Sequence, residues 1–318
     1  MTMFNRRQII IGSGCVLAGG FAGLANGCAP SQITVPIASP ALAALEAKSG
    51  GRLGAYILDV ATGRAIGHRM NERFAMCSTF KLALAGALLH RSDKGLLDLE
   101  KQISYSAADM VSNSPITKEN LTKNGGETAR MSIAALAQAT QQTSDNAAAN
   151  LLIKELGGPA ALTQIFRSWD DDVTRVDRYE PEMNFVPAGE IRDTTTPRAY
   201  AQMVAKLLVG DAILKPETQS RLIDWMVDTK TGVKRLRAGI PAAWKSGDKT
   251  GTGTHKSYTN KYNDVAIFWP PARGPVVVSS YFEGPVTSDD MRDVDQAVLA
   301  EIGRIAAAQA VEWAGGLD

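Results

Sequence analysis

The chain has 318 residues, 45% of them hydrophobic, with 34 Lys and Arg against 33 Asp and Glu. At about 150 residues per domain, that length fits one large domain or two modest ones, with a core that needs no disulfide or metal staple. A net charge of +1 argues against a basic nucleic-acid-binding face, and the apolar fraction argues against a disordered chain.

Residues 1–28 read as an export signal outside the fold. Arg6 and Arg7 precede a mainly apolar, Gly-rich run from Ile9 to Ala25, and the first acidic residue is Glu46. The adjacent arginines point to the twin-arginine route. A membrane-spanning helix is the other reading, weakened by Gly12, Gly14, Gly19, Gly20 and Gly23 in a run near the lower length limit for spanning. Cys28, after Ala25-Asn26-Gly27, resembles a lipoprotein attachment cysteine, although Asn26 departs from that pattern, and plain cleavage nearby is the alternative. The mature protein is therefore expected to be exported to the periplasm, either free or lipid-anchored through Cys28. Of the three cysteines only Cys77 falls in the body, so no internal disulfide is expected and Cys77 reads as a buried thiol. The three histidines, His68, His90 and His255, have no paired spacing, which leaves little material for a metal site or a Ser-His-Asp triad. No metal, cofactor or nucleic-acid partner is expected, and a monomer is.

Residues 29–40, small and Pro-rich, read as a linker. Leu53–Leu58 and Arg64–His68 flank Asp59-Val60-Ala61-Thr62-Gly63 and predict a hairpin. Ser78–His90 is almost continuously apolar, and a helix of that kind must be buried. Further helices fit Met131–Gln141, Asn146–Leu156 (closed by Gly157-Gly158) and Pro159–Trp169. Trp169–Thr196 is acidic, Pro-containing and aperiodic, and a loop of that length is usually functional. Thr196-Pro197 supplies an N-cap and first-turn proline for a helix to about Val209, and another helix fits Pro216–Asp228. Strands return at Ala243–Thr250, Tyr262–Trp269 and Val276–Phe282, before a terminal helix over Asp289–Trp313. The class is α/β, of the α+β type: one antiparallel sheet built from both chain ends (41–76 plus 230–318), with a helical domain (77–229, active-site loop 170–196) inserted between them.

Three short motifs carry the chemistry. In Ser78-Thr79-Phe80-Lys81 a serine and a lysine one helical turn apart share a face, so the amine reaches the hydroxyl. At the start of a buried helix the serine meets backbone N–H groups, and low dielectric lowers the lysine's pKa towards that of a usable base. Alone the pattern is weak: a capping serine with a snorkelling lysine gives it too, and Ser246-Gly247-Asp248-Lys249 repeats it inside a strand. Ser144-Asp145-Asn146 opens a helix, where such residues are ordinary N-caps. Lys249-Thr250-Gly251, continued by Thr252-Gly253, ends a predicted strand, whereas Lys230-Thr231-Gly232 follows a predicted helix and reads as a C-cap.

In this order and context the three motifs resemble those of the penicillin-recognising serine enzymes. Arg178-Tyr179-Glu180-Pro181-Glu182-Met183-Asn184 is similar to the loop signature of the class A serine β-lactamases, and the resemblance covers roughly residues 40–315. It implies that Ser78 attacks the lactam carbonyl, that the Ser78 and Thr252 N–H groups form the oxyanion hole, and that Ser144 passes a proton to the leaving nitrogen. Glu180 and Asn184 would hold the deacylating water. Lys249, Thr250, Gly251 and Arg235 would line the substrate-carboxylate end, with Asn146 also touching substrate. Arg178 and Asp193 would pair to close the loop, and the Glu180-Pro181 peptide would be cis. Lys81 and Glu180 both stand as candidates for the acylation base, and a solvated charge beside Lys234 and Arg237 is the alternative for Arg235.

The chain departs from the family at Asn113, where many members carry an aromatic wall, and in longer segments around Lys123-Asn124-Gly125-Gly126 and His255-Lys256-Ser257-Tyr258-Thr259-Asn260. Carbapenem-hydrolysing members often pair a cysteine beside the nucleophile with one after KTG; here Cys77 faces Gly253. The expected activity is hydrolysis of penicillins and cephalosporins through a serine acyl-enzyme, which confers antibiotic resistance. The alternative is a penicillin-binding D,D-peptidase, which lacks the Glu180–Asn184 water-holding pair. A catalytically silent envelope protein is a third reading, opposed by the intact set of reactive residues.

Overall fold

The computed structural model describes residues 36–315; the leader, Arg6, Arg7, Cys28 and most of the 29–40 segment lie outside the described residues. A six-stranded sheet runs in the order Ile37–Ala38, Ala65–His68, Arg52–Asp59, Val276–Glu283, Lys261–Trp269, Lys245–Gly253. At its centre an early strand meets a late one: Arg52–Asp59 and Val276–Glu283 pair antiparallel over their full lengths, with Ile57 opposite Val278.

Period-2 alternation divides these strands between two cores. Val277, Val265, Ile267 and Tyr56 face the helical side, with Phe80, Leu84 and Leu88. Val276, Val278, Ala266, Phe268 and Ile57 face a second core under the helices Pro40–Ser49 and Asp293–Gly315, with Leu42, Leu299, Ile302 and Trp313. Such strands must be apolar on both faces, which explains the Val276-Val277-Val278 run.

The helix Phe80–Asp93 is the axis of the helical layer. Its residues from Phe80 to Leu89 are all buried, as its composition demands. Each fully buried leucine contributes about 2 kcal/mol of apolar burial, so the ends of this helix are firmly placed. Ile133–Gln142, Asn146–Glu155 and Pro216–Val227 pack beside it. Thr196 caps the helix Pro197–Leu208 as expected, its hydroxyl accepting from Ala199 N. Gly157 and Gly158, both at φ 98°, end Asn146–Glu155.

Several expectations need correction. The linker reading was too long, because Ile37–Ala38 adds a short strand, parallel to Ala65–His68, to the otherwise antiparallel sheet. Pro40–Ser49 is helical, with Ser39 accepting from Leu42 N and Gly50 closing it in the left-handed conformation. Met131 belongs to a strand, Thr128–Ser132, paired with Gln102–Ser106; the helix starts only at Ile133. The terminal helix begins at Asp293, not near Asp289. No helix among the described residues is long and apolar enough to cross a membrane.

Candidate active site

A cleft of about 480 Å³ opens between the sheet's edge strand Lys245–Gly253 and the helical layer, lined by Ser78, Asn113, Ser144, Asn184, Arg235 and Thr250 among others. Behind these residues Lys81, Glu180 and Lys249 are at most 1% exposed.

Ser78 does not begin the α-helix as its spacing predicted. It sits in a 3₁₀ turn, Cys77–Thr79, and the helix starts at Phe80. The one-turn relationship survives, since Lys81 Nζ donates to Ser78 Oγ at 2.9 Å. Neither ordinary reading of the motif applies: the serine makes no capping bond and the lysine is fully buried. The Ser78 hydroxyl in turn donates to Glu180 Oε1 at 3.0 Å. Lys81 Nζ also lies 3.1 Å from Glu180 Oε1, donates to Ser144 O at 2.9 Å, and contacts Asn146 Oδ1. Burial pushes the Lys81 ammonium down from its usual value, and the Glu180 carboxylate opposes that shift.

In Ser144-Asp145-Asn146 the capping role falls to Asp145, which accepts from Ala148 N at 2.9 Å and also from Ile116 N and Thr117 N. Ser144 is freed for the cleft. Its φ of 59° aims Oγ at Lys249 Nζ, 3.1 Å away, and at Lys81 Nζ, 3.4 Å away. Cys77 (45°), Asn113 (57°) and Asp193 (57°) are left-handed as well, and strain of this kind concentrates at functional sites. Cys77 is a free buried thiol, raised to about 12 by burial.

Lys249 is mid-strand rather than at a strand end, because Lys245–Gly253 continues through the whole KTG segment. Burial first and the Lys81 charge second bring its ammonium down to about 7. The glycine of the motif has a steric reason. A Cβ on Gly251 would lie 2.6 Å from Met76 O and 3.0 Å from Thr79 N, so only glycine lets the strand pass the nucleophile's turn. Arg235 is not a solvated charge. It is 2% exposed and donates to Gly251 O at 2.9 Å, Asn263 O at 2.8 Å and Thr252 Oγ1 at 2.7 Å.

The irregular loop carries Glu180. The Glu180-Pro181 peptide is cis, and Asn184 Nδ2 donates to Glu180 Oε2 at 2.5 Å. Arg178 Nε meets Asp193 Oδ2 at 2.5 Å, while Asp193 Oδ1 accepts from Asp177 N and Arg178 N. The two residues named for closing the loop are thus bonded across it.

Two contributors escaped the sequence reading. Asn150 clamps Glu180 through the backbone, its Nδ2 donating to Glu180 O at 2.8 Å and its Oδ1 accepting from Glu180 N at 2.9 Å. Its spacing of one helical turn from Asn146 was the available signal. Thr231, set aside within a C-cap motif, lines the cleft and shares a 2.6 Å hydrogen bond with Thr250 Oγ1. Gly232 beside it is packed against Asp248, since a Cβ there would lie 1.6 Å from Asp248 Oδ2.

A serine hydroxyl between a buried amine and a buried carboxylate, with a cationic strand opposite, can support nucleophilic attack on a carbonyl and hydrolysis of the ester it leaves. Fold and site define a serine hydrolase. Residues 38–310 match the model of the beta-lactamase enzyme family. The chain is 38% identical to beta-lactamase L2 of Stenotrophomonas maltophilia, over 96% of its own length and 98% of that protein's. It is 41% identical to the carbapenem-hydrolyzing beta-lactamase KPC of Klebsiella oxytoca, over 88% of this chain and 91% of KPC. An ancestral class A β-lactamase superposes with a TM-score of 0.77 at 49% identity, covering 85% of this chain and 98% of that one. A β-lactamase from Xanthomonas campestris does so with 0.78 at 44%, covering 85% and 96%. The chain belongs to the class A serine β-lactamases, hydrolases of the β-lactam amide that confer antibiotic resistance.

Proposed function

We propose that this enzyme opens penicillins and cephalosporins through an acyl-enzyme on Ser78, with weak turnover of carbapenems. The observation that carries the reading is the position of Ser78 Oγ, which accepts from Lys81 Nζ at 2.9 Å and donates to Glu180 Oε1 at 3.0 Å. Either partner is close enough to take the hydroxyl proton as Oγ bonds to the lactam carbonyl carbon. The Ser78 and Thr252 N–H groups stabilise the oxyanion. The C–N bond then breaks, and Ser144, bonded to both lysines, relays a proton to the departing nitrogen. Lys249, Thr250 and Arg235 hold the substrate carboxylate, with Gly251 allowing the strand's close approach; Asn146 orients Lys81 and the acylamino end. Water held by Glu180 and Asn184 attacks the ester, Glu180 takes its proton, and Ser78 is released.

The spectrum rests on two features. Thr252 brings a hydroxyl beside the oxyanion hole, in keeping with cephalosporin turnover, and Cys77 has glycine opposite it, without the disulfide frequent in efficient carbapenem hydrolysis. The Glu180–Asn184 pair favours this reading over a D,D-peptidase. The enzyme acts as a monomer after export, directed by the Arg6-Arg7 leader and either released or anchored at Cys28. Steady-state hydrolysis of one penicillin, one cephalosporin and one carbapenem tests the spectrum; carbapenem turnover equal to that of penicillin overturns its last part.

A further inference from the structure

The longer segment after the edge strand brings an aromatic group to the cleft. Tyr258 lines it together with Gly253 and Asn184, although Tyr258 belongs to a surface loop. The ring is held by three neighbours. His255 stacks on it at 4.8 Å with planes 10° apart, Phe185 meets it edge-on at 5.3 Å, and Lys261 Nζ lies over it at 4.7 Å. Phe185 directly follows Asn184, so the cluster joins the strand-side loop to the loop that carries Glu180. Such pairs favour a fixed ring over a freely rotating one.

The opposite rim is polar, since Asn113 turns its amide to Ser144 O at 3.0 Å. The carboxylate and the acylamino group of a β-lactam lie at opposite ends of its fused rings, so a carboxylate held at Lys249, Thr250 and Arg235 would direct the acyl side chain away from that cationic end, and Gly253, Asn184 and Tyr258 line the same cleft. We infer that Tyr258 is a specificity-determining residue that receives an aromatic acyl side chain of the β-lactam, supplying from the strand side the wall that Asn113 does not supply from the helical side. The inference rests on the acyl-enzyme reading above and concerns only which substrates that site prefers.

The test compares benzylpenicillin, whose acyl group ends in a phenyl ring, with 6-aminopenicillanic acid, which has no acyl group. An aromatic pair lost at this position lowers kcat/KM roughly 3- to 10-fold. Tyr258→Leu, which keeps apolar bulk, should show that loss with benzylpenicillin and stay within about twofold of wild type with 6-aminopenicillanic acid; Tyr258→Phe should match wild type with both. An unchanged benzylpenicillin preference in Tyr258→Leu overturns the inference. So does an equal fall with both substrates, which would mean that the loop only supports the fold. If the wild type forms no acyl-enzyme with either compound, the mechanism fails instead, an outcome distinct from a changed preference.

Discussion

Ser78 and Glu180, 102 residues apart in the chain, are joined by one 3.0 Å hydrogen bond, with Lys81 Nζ within 3.1 Å of both bonded oxygens. Three groups that could exchange one proton are thereby packed together, Lys81 and Glu180 buried and Ser78 at the floor of the cleft.

Replacing the nucleophile should separate chemistry from folding. Ser78→Ala removes the hydroxyl but leaves Lys81 and Glu180 in contact with each other at 3.1 Å. Hydrolysis followed by loss of β-lactam absorbance should fall to background, while the thermal midpoint should move by only about 2 °C, the shift worth about 1 kcal/mol in a chain of this size. Substantial residual turnover would show that another group attacks.

Lys249 sets an opposing pH dependence for activity and stability. Its folded value of about 7 lies below the ordinary lysine value of 10.5. Between these values the unfolded chain binds the extra proton, so this group's contribution to stability rises with pH; below 7 its cost is fully present. The cation proposed to hold the substrate carboxylate is lost as the pH rises through about 7. kcat/KM of the wild type should therefore fall above about pH 7, while denaturant unfolding should show wild type gaining on Lys249→Met from pH 7 to 10. A pH-independent stability difference would show that the ammonium titrates elsewhere.

The loop closure is asymmetric. Asp193 is wholly buried and serves Arg178 and two backbone N–H groups, whereas the Arg178 side chain is 20% exposed. Asp193→Ala should cost about 3 kcal/mol, because it removes the acceptor of two backbone N–H groups as well as the partner of Arg178, and Arg178→Ala less, because Asp193 keeps those two donors. Both should slow deacylation more than acylation in pre-steady-state assays. Equal effects on the two steps would mean that the pair does not act through Glu180.

Gly232 should tolerate no side chain. Gly232→Ala would drive a methyl into Asp248, which already shares its buried region with Asp264 and lies 2.7 Å from Arg237 Nε. Burial pushes both carboxyls up, and the charge of Asp264 adds to the rise of Asp248. Overpacking of this kind typically costs about 1–3 kcal/mol, and displacing the residue before Lys249 should also raise KM. A variant with wild-type stability and KM would contradict the packing.

The buried helix after Ser78, the late strands and the aperiodic loop were legible because each follows from periodicity or composition. Ser78, Ser144, Glu180 and Lys249 were legible only as members of motifs whose single copies are ambiguous, and burial separates them from their lookalikes: Lys249 is enclosed, while Lys230 is exposed. Arg235 could not be judged from its charged neighbours, since its burial depends on a strand that pairs far along the chain. Asn150 shows in the sequence only as a residue one helical turn from Asn146, because its partner is the Glu180 backbone, which leaves no side-chain pattern to pair with it. The helix Pro40–Ser49 was not assigned, although Ser39, Pro40 and Gly50 mark its ends.

In the proposed reaction Glu180 helps water to hydrolyse a serine ester. General-base assistance is worth about 10²–10⁴-fold, so Glu180→Ala should acylate and then stall. Intact-mass measurement after mixing this variant with benzylpenicillin tests the claim most directly. A persistent adduct of one penicillin per chain is expected, mapped by digestion to the peptide containing Ser78. Wild-type turnover with no trapped adduct, or an adduct on the Ser246 peptide, would contradict it.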